Sequence, residues 1–348
     1  MPTIRSILEH KPVEASAPCR IDMGGTLDLS TFYLALNHLK PCTFNAALDL
    51  RTRVRVSAFE PGRTKVSSSG FESLVVDSDR APFRHPLGLM LAIAAYFRAH
   101  GIHIEITSAS PPRSALGGSS VASVALIWAF SKALARTGNA LPERATVAML
   151  AHAIEQSVAG VVCGMQDQLA AVFGGVNGWH WKADPDGPPF VRQPLLSAED
   201  CRDFSRRLIV AYCGVPHVSK DINGNWVRQF AAGESRGIWH RIADCSRQFT
   251  HALASGAYEK AQTMMDMETD LRCELTPEVL DDMGRALVAA ARTHHCSARF
   301  TGAGGGGCLW AMGAPDQIEK LKPVWTGILE TRETGRILDT QVDTQGLL

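Results

Sequence analysis

Residues 111–120 read PPRSALGGSS, and an apolar run at 121–128 follows at once. Glycines let a backbone approach a ligand closely, and the first turn of a helix offers unpaired N–H groups at the positive end of its dipole. A loop of small residues that opens a helix therefore suits the phosphates of a nucleotide. The hydroxyls of Ser119 and Ser120 are hard oxygen donors of the kind that Mg²⁺ accepts. Read alone, the pattern also fits an ordinary helix cap, so the choice between a phosphate-binding loop and a plain cap depends on other segments of the sequence.

Three other segments carry a similar mixture of glycine and polar residues. Residues 17–28 read APCRIDMGGTLD, and residues 163–175 read CGMQDQLAAVFGG. Residues 301–308 read TGAGGGGC, with five glycines among the six residues 302–307. Such a glycine run is costly to order unless a ligand or close packing surrounds it.

In this order along the chain, the four segments resemble the signature motifs of the GHMP kinases, a family that includes galactokinase, homoserine kinase, mevalonate kinase and phosphomevalonate kinase. The resemblance covers nearly the whole chain, and residues 163–175 are similar to the sugar-kinase branch (D-glycero-D-manno-heptose 7-phosphate kinase, fucokinase and galactokinase). It implies transfer of a phosphoryl group from ATP, with Mg²⁺, to a small molecule. It also implies two domains, the first like domain 2 of ribosomal protein S5 and the second ferredoxin-like, with the active site between them.

The pattern of predicted strands and helices agrees with an α+β fold, because the two alternate irregularly. The predicted strands are 43–58, 64–69, 102–106, 207–212, 298–300 and 309–312, and the predicted helices are 86–100, one after Ser119, 143–158 and several between about 220 and 293. The polar residues 197–200 are typical of a helix cap and mark the boundary between the domains. We therefore divide the chain into an N-terminal domain, residues 1–198, and a C-terminal domain, residues 199–348.

Composition narrows the class of protein. Lys plus Arg and Asp plus Glu each number 35, so no basic excess points to nucleic acid or to an anionic membrane. Nine cysteines without a Cys-x-x-Cys pair indicate reduced thiols. Residues 1–12 lack the apolar core of a signal peptide, and the apolar stretch 87–97 is far shorter than the ~20 residues that span a bilayer. We expect a cytoplasmic protein, monomeric or homodimeric, that binds a small molecule.

The resemblance implies a set of ATP and metal ligands. The expected phosphate contacts are Pro112, Ser114, Ala115, Leu116, Gly117, Gly118, Ser119 and Ser120, together with Gly304 and Gly305 of the third motif. Ser119, Ser120 and Glu155 are the expected Mg²⁺ ligands, since Glu155 precedes Asp167 by the twelve residues seen in galactokinase-like members. The usual loop reads Gly-Leu-Gly-Ser-Ser, whereas here Ala115 replaces the first glycine and Gly118 the first serine. Which serine contacts the metal therefore stays open.

Asp167 is the predicted catalytic base, because a carboxylate beside a sugar hydroxyl can accept its proton as the phosphoryl group arrives. Arg20 resembles the arginine next to this aspartate in sugar kinases, where it would keep Asp167 ionised and stabilise charge on the γ-phosphate. The expected sugar contacts are Asp28, Asp22, Thr26, Asn45, Gln168, His217 and Gly302. Asp28 stands one residue closer to Arg20 than in the fucose and heptose-phosphate kinases, so its orientation stays open.

The leading hypothesis is a kinase that phosphorylates a sugar or sugar phosphate at the anomeric hydroxyl, as a heptose 7-phosphate 1-kinase does. A fucokinase- or galactokinase-like sugar 1-kinase is the nearest alternative, and mevalonate-type and homoserine kinases agree less well with Asp28 and residues 163–168. A non-catalytic sensor of sugar and ATP with the same fold is the alternative from another class. A nicotinamide dehydrogenase is set aside, because no Gly-x-Gly-x-x-Gly lies between a strand and a helix with an acidic residue ~20 positions on.

Overall fold

Two β-sheets and the helices around them form the part of the chain that the computed structural model describes, residues 3–158, 160, 162–184, 186–216 and 222–348. The helices are α1 (Ile4–His10), α2 (Ser30–Ala35), α3 (Gly88–Tyr96), α4 (Gly118–Ala135), α5 (Arg144–Val158), α6 (Gln166–Phe173), α7 (Ala198–Ser205), α8 (Ile222–Ala232), α9 (Arg236–Ala254), α10 (Tyr258–Leu275), α11 (Asp282–Thr293) and α12 (Pro315–Leu329). The strands are β1 (Val13–Met23), β2 (Cys42–Ala58), β3 (Arg63–Ser68), β4 (Leu74–Asp77), β5 (Ile102–Ser108), β6 (Val176–Trp181), β7 (Phe190–Pro194), β8 (Leu208–Tyr212), β9 (Ser297–Phe300), β10 (Cys308–Met312) and β11 (Arg336–Leu338).

The first sheet, within the described residues, has seven strands in the order β4-β3-β5-β2-β6-β7, with β1 paired to β2 off this path. The pairs are antiparallel except for β3 with β5. Helix α4 packs on β1 and β2, and Val121, Val124 and Ile127 are fully buried there. Among the described residues α4 alone is long and apolar enough to cross a membrane, but 67% of it is buried inside the protein, as expected for a core helix.

Strand β1 carries the first glycine-containing motif into the core. Its register with β2 shifts between Pro18 and Cys19, which is where a proline is tolerated, because a bulge leaves a residue outside the hydrogen-bond ladder. From Cys19 to the end of the strand every residue is buried, including Arg20 and Asp22. Because these charged residues break the apolar pattern of a strand, the sequence did not predict β1.

The second sheet has four strands in the order β11-β8-β10-β9 within the described part of the chain. Helix α7 connects it to the first sheet, and its N-cap Ser197 forms a capping box with Asp200, as the polar segment predicted. After β11 the chain returns to the first sheet, where Val342 pairs with Leu48. Residues 340–348 therefore contact the N-terminal sheet, although we assigned them to the C-terminal domain by sequence.

Aromatic side chains join the two halves. Phe44 of β2 packs against Phe249 of α9 with ring centroids 4.9 Å apart, and against Trp310 of β10 at 5.8 Å. Phe32 of α2 packs on Trp239 at 4.3 Å. These rings belong to one continuous apolar core, so the loops at its edge are held at fixed positions relative to each other.

Candidate active site

A cavity of about 560 Å³ lies where β1, the start of α4, the start of α6 and the glycine-rich turn after β9 meet. Its walls include the four segments that the sequence singled out, although they are far apart along the chain. The lining residues from these segments are Arg20, Gly25, Thr26, Asp28, residues 111–115, residues 117–120, Cys163, Gly164, Gln166, Asp167, Gly302 and Ala303. Such a concave site with convergent polar groups is the usual form of a small-molecule site.

The loop before α4 presents a helix N-terminus to the cavity. Gly117 is the N-cap with φ 81°, and the first hydrogen bond of the helix runs from the Val121 N–H to the Gly117 carbonyl at 2.9 Å. The N–H groups of the three residues between them thus have no partner within the helix, which suits an anion. Ala115 has φ 60°, a left-handed conformation in which alanine is strained, at the position where the related loops have glycine.

Glu155 lies beside the two serines. Ser119 Oγ donates to Glu155 Oε1 at 2.8 Å and Ser120 Oγ donates to Glu155 Oε2 at 2.7 Å, while Gln168 Nε2 donates to Oε2 at 2.7 Å. Burial raises the pKa of Glu155, although the hydroxyls act in the opposite direction. Two hydroxyl oxygens and a carboxylate form an all-oxygen donor set, which fits Mg²⁺ with the remaining positions left to water and phosphate oxygens.

Asp167 forms an ion pair with Arg20. Arg20 Nε donates to Asp167 Oδ1 at 2.8 Å, and Arg20 Nη1 donates to the Ala115 carbonyl at 2.7 Å. The side chain of Asp167 is 22% exposed, toward the cavity. We expected Arg20 to dominate the titration of Asp167, but burial outweighs it and raises the pKa of the carboxyl, with Asp22 acting in the same direction. A carboxylate with a raised pKa is a better proton acceptor than an ordinary aspartate.

The phosphate loop and Asp167 are in contact. A Cβ on Gly117 would lie 3.1 Å from Asp167 Oδ2, and the positive φ there also disfavours any side chain. Glycine at 117 therefore brings the helix N-terminus directly against the candidate base. A phosphoryl group at the N-terminus and a hydroxyl at Asp167 would be neighbours, which is the arrangement that phosphoryl transfer requires.

Asp28 fills the space beside Gly164. The Gln166 N–H donates to Asp28 Oδ2 at 3.1 Å, so Asp28 caps the start of α6. A Cβ on Gly164 would lie 1.7 Å from the same oxygen. Burial raises the pKa of Asp28 to about 6, and the charges of Asp167 and Asp22 add to that effect. Asp28 is thus a second carboxylate in the cavity wall, and it contacts Gln166, the residue that precedes the candidate base Asp167.

Gly164→Ala is expected to destabilise the protein, because its methyl group has no room and Asp28 is buried. We expect a loss of about 1–3 kcal/mol in the free energy of unfolding, the usual cost of overpacking, measured by denaturant titration. Gly237→Ala in α9 is the control, since a Cβ there meets no atom within 4 Å. Equal stability of the two variants would contradict the contact between Asp28 and Gly164.

The structure places several predicted contacts behind the cavity wall. Asn45 and Gln168 are fully buried; Asn45 donates to the Gln166 carbonyl, and Gln168 to Glu155, so neither reaches a ligand directly. Asp22 is also fully buried and accepts from the Gly302 N–H at 2.7 Å. Leu116 is fully buried in the apolar core and does not line the cavity, unlike its neighbours Ala115 and Gly117.

The glycine-rich turn at residues 301–308 contributes only two residues to the cavity wall. Gly302 and Ala303 line the cavity, but Gly304 and Gly305 pack against Val279, whose carbonyl accepts the Gly305 N–H at 2.9 Å. Two of the expected phosphate contacts, Gly304 and Gly305, are therefore structural in this turn. His217 lies outside the described residues.

Other cavity residues were missed by sequence. Apolar side chains from the turn after β3, from β5 and from the region around α3 also line the cavity, namely Phe71, Pro86, Leu87, Leu89, Met90 and Ile106. The residues with hydroxyl groups that line it as well are Thr52, Ser68, Ser69 and Ser108. Ile222 and Asn223 of α8 close the opposite side, and Asn223 Oδ1 accepts from Thr26 Oγ1 at 3.1 Å. Thr26 has φ 75°, an unusual conformation for a β-branched residue. Ordinary apolar residues and scattered hydroxyls carry no signal of a ligand in a sequence, so these residues could not be identified before the fold was known.

Comparison with known proteins relates this site to one family of kinases. Residues 85–175, which include the loop before α4, Glu155 and Asp167, match the family model described as the GHMP kinases N terminal domain. Mevalonate kinase of Thermococcus gammatolerans is 27% identical over 96% of this chain and 97% of its own length. Mevalonate kinase of Thermococcus sibiricus is 25% identical over 88% and 91%. D-glycero-alpha-D-manno-heptose 7-phosphate kinase of Campylobacter jejuni is 25% identical over 61% of each chain.

Solved structures share the fold over nearly the whole chain. Lactococcus lactis galactokinase complexed with galactose has a TM-score of 0.74 at 16% identity and covers 97% of this chain and 95% of its own. Streptococcus pneumoniae phosphomevalonate kinase in complex with phosphomevalonate and AMPPNP has a TM-score of 0.72 at 15% identity, covering 95% and 99%. A D-glycero-D-manno-heptose 1-phosphate kinase from Bacteroides thetaiotaomicron has a TM-score of 0.70 at 17% identity, covering 96% and 97%.

Proposed function

We propose that this chain, a GHMP kinase by its fold and by its N-terminal domain, transfers the γ-phosphoryl group of ATP to the anomeric hydroxyl of a sugar or sugar phosphate. The observation that carries the proposal is that a phosphate- and metal-binding type of site and a paired carboxylate meet in one cavity. One end has a helix N-terminus with Ser119, Ser120 and Glu155, and the other has Asp167 paired with Arg20. Gly117 is where the two ends meet.

The nucleotide would bind along the wall formed by the loop before α4. Its triphosphate would accept hydrogen bonds from the unpaired N–H groups at the start of the helix, and its base would pack beside the apolar lining residues Met90 and Ile106. Mg²⁺ held by Ser119, Ser120 and Glu155 would neutralise phosphate charge. Glu155 orients both hydroxyls, so the residues are arranged before the metal enters.

The acceptor hydroxyl would lie at Asp167. Asp167 takes the proton of that hydroxyl as its oxygen attacks, and the raised pKa favours this transfer. Arg20 bridges Asp167 and the phosphate loop through the Ala115 carbonyl, so its charge lies between the base and the transferred group. There it can offset the negative charge that gathers around the phosphoryl group.

A sugar fits the acceptor end better than a carboxylic acid does. Asp28 and Asp167 both face this end, and among the described residues lining the cavity the cations are Arg20 and Arg113. Arg20 is already engaged by Asp167, and Arg113 belongs to the phosphate loop. Sugar hydroxyls donate hydrogen bonds to carboxylates, whereas a substrate carboxylate would be repelled by them.

Mevalonate remains the second candidate substrate, because curated mevalonate kinases match most of this chain. We would test both with one panel: heptose 7-phosphate, mannose, fucose, galactose, glucuronate and mevalonate, each with ATP and Mg²⁺. ADP release gives turnover, and phosphorus NMR identifies the product. A sugar 1-phosphate supports the proposal, phosphomevalonate overturns it, and ATP binding without turnover on any compound favours the non-catalytic sensor.

Asp28→Asn should weaken sugar binding. Loss of a charged hydrogen-bond acceptor is expected to raise KM for the sugar by about tenfold or more, with little change in KM for ATP. In the wild type, KM for the sugar should fall as the pH rises through about 6, where Asp28 ionises, and this dependence should disappear in the variant. An effect on KM for ATP alone would show that Asp28 does not face the sugar.

The same substitution should stabilise the fold above pH 6. The pKa of Asp28 lies above that of an unfolded aspartate, so its ionisation opposes folding as the pH rises from 3.8 toward about 6. Asp28→Asn removes that cost, and we expect the free energy of unfolding to increase on the order of 1–2 kcal/mol at pH 8 but not at pH 4. Denaturant titrations at the two pH values measure the difference.

We also propose a cytoplasmic location and a small molecule as the partner. The nine cysteines are all free, which agrees with a reducing compartment. A monomer or homodimer stays the prediction for the oligomeric state.

A further inference from the structure

Six charged groups form a continuous series of ion pairs that starts at Asp167 in the cavity wall and continues through five buried residues behind it. Their order is Asp167, Arg20, Asp22, Arg299, Glu268 and Arg272, so negative and positive groups alternate. The joining distances are 2.8 Å for Asp167 to Arg20, 3.6 Å for Arg20 to Asp22, 3.5 Å for Asp22 to Arg299, 2.7 Å for Arg299 to Glu268 and 2.8 Å for Glu268 to Arg272. The chain runs from the candidate base on α6, through β1, to β9 and α10 of the other half.

Arg272, the last of the six charged groups, contacts two residues of the cavity wall. Arg272 Nη2 donates to the Gly25 carbonyl at 2.6 Å, and Nη1 donates to Thr26 Oγ1 at 3.4 Å. Its guanidinium packs over the rings of both Trp226 and Trp239, at 4.8 and 4.6 Å from their centroids. The strained turn at Thr26 is thus held by a cation that is itself fixed on two aromatic faces.

The inner links are also fully hydrogen-bonded. Arg299 Nη1 donates to the Asp22 carbonyl at 3.0 Å, and Asp22 Oδ1 accepts the Gly302 N–H. Arg299, Glu268 and Asp22 are completely buried, and the two arginines lower the pKa of Glu268 to about 2 against the effect of burial. Burying so many charges is expensive, and well-packed apolar residues of similar volume often serve stability equally well. The arrangement therefore calls for a role besides stability.

We propose that Arg299 and Glu268 are positioning residues, which hold Asp22 and through it set the orientation and charge of the Arg20–Asp167 pair. Asp22 contacts both Arg20 and Arg299. Neutralising Arg299 or Glu268 therefore changes the net negative charge that Arg20 compensates at Asp22 and Asp167. The inference rests on the proposed function only in that Asp167 is taken as the base. Among the described residues, the titratable and charged groups that interact electrostatically with Asp167 include Arg20, Asp22 and Cys19 of β1, Asp28, Glu155 of α5 and Cys163.

Two isosteric substitutions should move the titration of Asp167 in opposite directions. Glu268→Gln removes a negative charge and should lower the pKa of Asp167, whereas Arg299→Gln removes a positive charge and should raise it. We expect shifts of roughly one pH unit in each direction, the size of a partly screened charge lost nearby. The pKa is read from the ¹³Cγ resonance of aspartate-labelled protein, assigned with Asp167→Asn.

The matched controls are Glu274→Gln on the same helix and Arg292→Gln, whose partners Asp266 and Asp270 are also on α10. Both sites are exposed, so the pKa of Asp167 should stay at its wild-type value. Arg299→Lys keeps the charge and should restore most of the wild-type pKa. If Arg299→Gln does not fold, Arg272→Gln removes a positive charge two links further away, beyond Glu268, and should raise the pKa of Asp167 by a smaller amount.

Opposite shifts support the positioning role, because loss of packing alone would not depend on the sign of the charge removed. An unchanged pKa in folded variants, or shifts in the same direction, would overturn it. The NMR measurement needs no turnover, so absence of kinase activity in the wild type counts against the proposed function and not against this inference. Where activity is found, the acidic limb of the kcat profile should shift with the pKa.

Discussion

Asp167→Asn is expected to lower kcat by about 10²–10⁴-fold, the usual contribution of a general base. Asparagine has nearly the same volume, but it cannot accept the proton of the acceptor hydroxyl. The affinity for ATP should change by less than about threefold, because the proposed phosphate contacts are at the start of α4 and do not include Asp167. Steady-state kinetics and calorimetric titration with ATP measure the two effects separately.

Asp203→Asn serves as the control, since Asp203 of α7 forms a partly exposed pair with Arg207, and neither residue lines the cavity. It should leave kcat and ATP affinity unchanged. If Asp167→Asn retained the wild-type kcat, Asp167 would be removed as the base, and Arg20 would have to act on the phosphoryl group alone.

Glu155→Gln is expected to raise the Mg²⁺ concentration needed for half-maximal activity by about tenfold or more and to lower kcat by about 10²-fold. The substitution replaces one oxygen that now accepts a serine hydroxyl with an amide group that donates. Ser119 and Ser120 then lose the common acceptor that orients them. Turnover as a function of Mg²⁺ at saturating ATP and sugar is the measurement.

Glu143→Gln provides the comparison for Glu155, because it is an exposed glutamate just before the same helix. Its Mg²⁺ dependence should match that of the wild type. A Glu155→Gln variant with an unaltered Mg²⁺ requirement would contradict the metal assignment, and the buried carboxylate would then only support the two serines.

The main lines of the fold were predictable because they rest on periodicity. The helix over 143–158 and the strands over 43–58 and 207–212 are confirmed within a residue or two, as are the α+β class and the resemblance to the GHMP kinases. Strand β1 was not predictable in the same way. Its inner half contains the buried charges of Arg20 and Asp22. Ion pairs with residues distant in sequence, such as Asp167 and Arg299, compensate for the burial of these charges.

The candidate site shows the same limit. The motifs correctly indicated which segments meet, but motif letters do not tell which way a side chain points. Asn45 and Gln168 bond to Gln166 and Glu155 inside the wall, and the glycines after Ala303 fold against Val279. The pKa of Asp167 likewise depends on how deeply it is buried, which the sequence does not state.

The return of residues 340–348 to the first sheet has a mechanical consequence. The chain passes between the two halves twice, through α7 and again after β11, and the passages touch, because the Val342 N–H donates to Ser205 Oγ at 2.9 Å. Two bodies joined by a single tether can swivel freely, whereas a double tether at one place leaves only a hinge. Any rotation of one half against the other would therefore centre on Ser205 and Val342, and it would have to separate the aromatic rings of Phe44, Phe249 and Trp310.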